Sequence, residues 1–283
     1  MARDDVDVNR TSTRRRFLGG AAVAALTGLA GCSGATPFVG KRIEDDRTID
    51  PQDATTLAVD VDIGDVRVLG ESRDGVGVHL VKQASSVTAD LSNLELDVVR
   101  TGDRLELVST YEGDGSFFGG TPSMDLTVRV PRSMTVASVV GSVGDIDVEN
   151  VAGDLSADTS TGDVSLRGID GVVDASTSTG DVVVEDVTAL GDVETSTGDL
   201  DLTVPAIDGD TRFEASTGDV VAALGPDLDA SVSATTNTGD VTVSGLSLDD
   251  RSETETSVTG TLGDGGPSLR IEARTGDVRL TSL

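Results

Sequence analysis

The residues of this chain that could do chemistry are mostly aspartates, and they recur in step. Asp145, Asp163, Asp181, Asp199, Asp219 and Asp240 each follow a glycine (Gly144, Gly162, Gly180, Gly198, Gly218 and Gly239), and Gly276-Asp277 and Gly64-Asp65 stand further off. In a stacked structure such carboxylates would lie about 5 Å apart. They could then hydrogen-bond turn amides or form a weak cation ladder, with calcium as the ion. Neighbours at that spacing repel by about 1 kcal/mol in water, while a charged hydrogen bond returns ~1.5–3 kcal/mol. Turn chemistry therefore accounts for the row without a metal. No cofactor is expected and no metal-ligating residue is assigned. His79, the only histidine, lies in the alternating stretch "VGVHLVK" and reads as a solvent-facing strand residue. The pairs Asp199/Asp201 and Asp145/Asp147 have one-strand-face spacing, as the acid and base of a polysaccharide-cleaving β-helix enzyme would. With 50 acids in the chain such pairs arise by chance, and no aromatic sugar platform accompanies them. No catalytic residue is assigned, and no enzyme is expected. The formal net charge of −29 makes nucleic acid a poor partner.

Cys32 is the single cysteine, so an intramolecular disulfide is impossible. The segment before it reads as an export signal. Arg14 and Arg15, followed by Phe17 and Leu18, resemble the twin-arginine motif, and a Gly/Ala-rich stretch runs from Leu18 to Ala30. That stretch is short of the ~20 helical residues that cross a bilayer. Leu29-Ala30-Gly31-Cys32 matches a lipobox, which would make Cys32 the lipidated residue. The expected layout is a signal peptide over 1–31, a flexible tether over 32–52 and one repeat domain over 53–283. The expected location is the outer face of the cytoplasmic membrane, held there by lipid. Of the 50 acids 38 are Asp, and Lys41 and Lys82 are the only lysines. This surface resembles that of proteins from salt-loving archaea, where the screening length at molar salt falls to about 3 Å and self-repulsion largely vanishes.

Positioning falls to a repeat. From Gly144 the glycines are 18, 18, 18, 20 and 21 residues apart, then 37. Aliphatics occupy the second and fourth places after each glycine: Val164 and Leu166, Val182 and Val184, Leu200 and Leu202, Val278 and Leu280. Before it, places −7, −5 and −3 give Leu155, Ala157 and Thr159, then Val173, Ala175 and Thr177. Only the Gly102 copy slips by one, to Leu105 and Leu107. Period-two alternation is a strand with one buried face, and the glycine supplies a backbone conformation closed to other residues. Each period is thus two short strands joined at a Thr-Gly-Asp corner. An antiparallel meander with Gly-Asp hairpins satisfies the same parity. The near-constant step favours an all-β solenoid of 18–21 residues per coil, less regular over 53–135, regular over 136–248, and closing with a hairpin and last rung over 249–283.

The "TSTGDV" rungs and the closing "GPSLRIEARTGDVRL" resemble the adhesin family of β-strand-repeat domains of unknown function, over roughly residues 53–283. The resemblance implies a β-helix-like, right-handed fold and brings no catalytic residues with it. The expected role is non-catalytic: an acidic solenoid displayed for adhesion or envelope interaction, with an envelope protein or glycan as partner and the oligomeric state open. A calcium-stabilised structural repeat and a polysaccharide-cleaving enzyme are the alternatives. Three of the few aromatics, Tyr111, Phe117 and Phe118, fall in "STYEGDGSFFGGTPSM", either as a partner contact or as a cover over one end of the core.

Overall fold

The computed structural model describes residues 40–87, 89–111 and 121–283. The export motif and Cys32 lie outside the described residues, as do Phe117 and Phe118. The chain opens with β1 (Lys41–Ile49), followed by β2 (Thr56–Ile63) and β3 (Val66–Glu71) on the two sides of Gly64. Then come β4 (Val76–Ala84), one 3-10 turn (Leu91–Asn93), β5 (Leu94–Thr101) and β6 (Arg104–Tyr111). β7 (Ser123–Pro131), β8 (Thr135–Val143) and β9 (Ile146–Glu149) lead into β10 (Leu155–Thr161), β11 (Val164–Thr179) and β12 (Val182–Thr197). β13 (Leu200–Val204), β14 (Thr211–Thr217), β15 (Val220–Leu224), β16 (Ala230–Thr238) and β17 (Val241–Ser244) continue the alternation. A hairpin of β18 (Asp249–Thr254) and β19 (Ser257–Leu262) precedes β20 (Ser268–Thr275) and β21 (Val278–Ser282).

These strands pair into two columns. One runs β5–β6–β2–β8–β10–β11–β12–β14–β20–β16–β19–β18, the other β1–β4–β7–β3–β9–β11–β12–β13–β15–β21–β17. β11 and β12 turn the second corner without a break and serve both columns. From β6 to β16 in one column and from β7 to β17 in the other all pairing is parallel, which excludes the meander, and the fold is an all-β solenoid. Matched residues in successive coils are one period apart: Val164 pairs with Val182, Val182 with Leu200, and Leu200 with Val220.

The core lies between the two columns. The aliphatics at places +2 and +4 and at −7 and −5 are buried, among them Val164, Leu166, Leu155, Val173, Leu200 and Val278. The interior is narrow, and small residues such as Ala157, Ala175, Ala215 and Ala222 face larger ones. Phe213 is the one aromatic among the largest fully buried side chains.

Three sequence expectations need correction. The tether over 32–52 does not extend to its end: residues 41–49 form β1, which pairs antiparallel with β4 along its whole length. Gly102 is no solenoid corner, which is why its flanks slip by one. It sits at φ 62° in the tight β5–β6 hairpin, where a side chain would meet nothing within 4 Å. The last rung in sequence is also not last in space. β20 lies between β14 and β16, and β21 between β15 and β17. The opposite end repeats the device, with β2–β3 seated between β6–β7 and β8–β9. Antiparallel strands close both ends. β1 and β18 are edges rich in charge, and β18 is exposed along its whole length, which discourages pairing with other chains.

Candidate functional site

The Gly-Asp corners form one ridge, and their amides and one carboxylate oxygen of successive aspartates are bonded between coils. Each corner glycine has φ near +140°, from 135° at Gly239 to 147° at Gly180. A side chain there would also run into the carbonyl of the corner glycine in the coil below, as Gly180 would into Gly162. The glycine N–H donates to the threonine carbonyl of the next coil, Gly162 to Thr179 at 2.9 Å. The aspartate N–H donates the other way, to Oδ1 of the neighbouring aspartate. This ladder runs Asp145 to Asp65 (3.1 Å), Asp163 to Asp145 (2.9 Å), Asp181 to Asp163, Asp199 to Asp181, Asp219 to Asp199, Asp277 to Asp219 and Asp240 to Asp277. The buried hydroxyls of Thr159, Thr177, Thr195 and Thr236 donate to the carbonyls of Gly144, Gly162, Gly180 and Gly276.

The ladder begins one coil earlier than the Gly-Asp pattern. In β7, Met124-Asp125 takes the corner place: the Asp65 N–H donates to Asp125 Oδ1, and Gln83 Nε2 donates to its other oxygen at 2.8 Å. Burial raises the Asp125 carboxyl above its ordinary range, and the Asp65 N–H partly offsets this. The second corner carries a shorter ladder of its own. Val172 N donates to Asp154, Asp192 N to Asp174, Arg212 N to Asp192 and Ser268 N to Asp210, at 2.8–3.0 Å. Further Gly-Asp pairs at Gly153, Gly191 and Gly209 are the signal in the sequence for three of these acceptors. Burial raises the Asp174 carboxyl, and the charges of Asp192, Asp208 and Asp158 add to the shift. Among the described residues no group of three or more His, Cys, Asp or Glu side chains is arranged to hold a metal ion.

With the corners occupied, the side chains left for a partner lie on the outer faces. On one column a row runs Asp158, Ser176, Glu194, Glu214, Glu272 and Thr235 across successive coils. On the other a row runs Asp147, Ser165, Val183, Asp201, Val221, Arg279 and Thr242. Asp199 and Asp201, spaced like an acid–base pair, divide here: the first belongs to the corner ladder and the second to the open face. Ion pairs cross the coils from Arg67 to Glu149 (2.7 Å), Arg167 to Glu185 (2.8 Å) and Arg212 to Glu272 (2.8 Å). Pairs this exposed contribute about 0–1 kcal/mol each. His79 Nδ1 lies 2.9 Å from Asp46 Oδ1, on the outer side of β4. Tyr111 is exposed at the end of β6.

Residues 123–281 match the family model described as Toastrack DUF4097. Among solved structures, the chain is similar to a "putative cell adhesion protein" from Clostridium sporogenes, at 12% identity and TM-score 0.41 over 86% of this chain and 100% of that one. It is similar to a "putative adhesin" from Bacteroides fragilis, at 12% identity and TM-score 0.42 over 86% and 97% of the two chains. A "putative lipid binding protein" from Parabacteroides distasonis shows 13% identity and TM-score 0.41 over 84% and 96%. No curated protein matches the chain.

Proposed function

The chain belongs to the Toastrack DUF4097 family, and from that premise we propose that its solenoid is a non-catalytic display surface outside the cell. The twin-arginine motif at Arg14-Arg15 would export it already folded, and lipidated Cys32 would hold it on the outer face of the cytoplasmic membrane. One acyl chain binds a membrane only marginally, so the anchor would carry two chains or act with a further contact. The Asp-rich, Lys-poor surface fits an organism that works in concentrated salt. An envelope glycan or protein is the partner that suits such a surface.

The observation that carries this reading is the use of polar groups. Corner amides and one oxygen of each corner carboxylate are bonded between coils, whereas outward Ser, Thr, Asp and Glu recur at one strand spacing along two faces, some of them paired across coils but all on the solvent side. A regular row of weak contacts gains by multivalency, because each further contact is intramolecular once the first has formed. The test is a glycan and envelope-protein binding screen of the full chain in molar salt, repeated after removal of one period, residues 164–181. The shortened solenoid is expected to fold and to bind the same partner more weakly. Absence of any binding, or affinity indifferent to coil number, would remove the proposal. Replacement of Cys32 by Ser is expected to release the protein into the medium.

A further inference from the structure

At one end of the stack two arginines share a single carboxylate. Antiparallel pairing of β1, β4 and β7 puts Thr48, Gly77 and Arg129 in one cross-strand row. Gly77 leaves a gap in that row, and the guanidinium of Arg73 lies over it, where a methyl group on Gly77 would strike it. Arg73 Nε donates to the Gly75 carbonyl at 2.5 Å, which fixes the side chain in place. Glu71 stands 3.7 Å from Arg73 and 3.4 Å from Arg129. One carboxylate thus serves two guanidiniums, and both separations exceed the ~2.7–2.9 Å of a charge-assisted hydrogen bond. Among the described residues, the terminal nitrogens of Arg129 have no acceptor. Arg73 and Arg129 both line a cavity of about 190 Å³. The carboxylate in its lining, Asp46, is hydrogen-bonded to His79.

We propose that this cavity binds one oxyanion group, a carboxylate or sulfate borne by an acidic saccharide. Guanidinium forks with free terminal nitrogens are suited to bidentate binding of such groups. The cavity is smaller than the ~300–1,000 Å³ of pockets that enclose a whole ligand, so it takes a charged substituent and leaves the sugar ring outside. The proposal rests on the display reading and makes its partner more specific: an anionic glycan gripped at the β1–β4–β7 end.

The test is titration calorimetry on the full chain at about 0.15 M ionic strength, where screening still leaves ~8 Å of reach. The probes are glucuronate, glucose 6-sulfate, inorganic sulfate and neutral glucose. Saturable binding of the two charged sugars is expected, with no binding of glucose. Arg129→Gln and Gly77→Ala are each expected to weaken binding tenfold or more. The second displaces only the Arg73 guanidinium and no backbone, so an unchanged melting temperature shows that the site alone was altered. Equal affinity in the variants, or no saturable binding by any probe, would overturn the site. Inorganic sulfate bound as tightly as the sugars would overturn the saccharide assignment. If the envelope screen still finds a partner for Arg129→Gln, this site fails while the display reading survives. Loss of envelope binding with sugar binding intact would instead keep the oxyanion site and remove the display reading.

Discussion

At the level of single residues, the corner glycine matters twice, through its backbone angle and through the neighbour it touches. Gly180 at φ 147° faces the Gly162 carbonyl. An alanine there needs both a strained backbone and a shift of the adjoining coil. Strain alone costs about 1–3 kcal/mol, so Gly180→Ala is expected to lower stability by about 3 kcal/mol or more. Gly102→Ala, at φ 62° in open space, is expected to cost only about 1–2 kcal/mol. Urea denaturation of the two variants compares them directly, and equal losses would mean that stacking contact adds nothing. Asp174 tests the second ladder. Its folded carboxyl titrates above its unfolded value because burial disfavours the charge. The penalty is therefore present above the folded pKa and is relieved as pH falls through it toward the unfolded value. Asp174→Asn keeps an oxygen for the Asp192 N–H and removes the charge. It is expected to stabilise the protein at pH 7 by a few tenths of a kcal/mol, as partly exposed charges do. The gain should vanish in denaturation curves below about pH 3, where the native carboxyl is already neutral.

At the level of elements, the out-of-order coils set how the fold closes. β20–β21 fills a layer between β14–β15 and β16–β17. The earlier strands must leave that layer open until the C-terminal residues arrive. Deleting residues 268–283 is therefore expected to unfold β16–β17 as well, and limited proteolysis should cleave within residues 230–262. Were the coils stacked in sequence order, the same deletion would trim one end and leave those strands protected. The alternation of Val182, Val184, Leu200 and Leu202, with glycine at a fixed place, made strand, parity and coil length legible in the sequence. Those features are local and repeat. The order of coils was hidden, because Gly276 continues the corner pattern equally well after Gly218 or after Gly239. The Met124-Asp125 corner escaped for want of a glycine, although Leu126 and Val128 keep the frame. Arg73 and Arg129 are far apart in the chain and meet only through the antiparallel pairing of β4 with β7, which no periodicity announces.

At the level of the whole molecule, charge is unevenly shared along the stack. Residues 40–132 hold 18 acids and 10 Lys or Arg, a net of −8; residues 133–283 hold 29 acids and 6, a net of −23. The first set builds the β1–β4–β7 end and its adjoining coils, and the second builds all coils from β8 onward. Coils about 4.8 Å apart repel across a distance that water screens poorly at low salt. Near 1 M salt the screening length of about 3 Å falls below that spacing. Stability is expected to rise with KCl up to about that concentration and then level off as screening is completed. The gain should also be local. In hydrogen exchange at low salt, strands β10 to β15 should open before β2, β3 and β7, and added KCl should close the difference. Uniform exchange along the stack at every salt concentration would mean that this charge imbalance has no hold on the fold, and that the acidic surface serves solubility or binding alone.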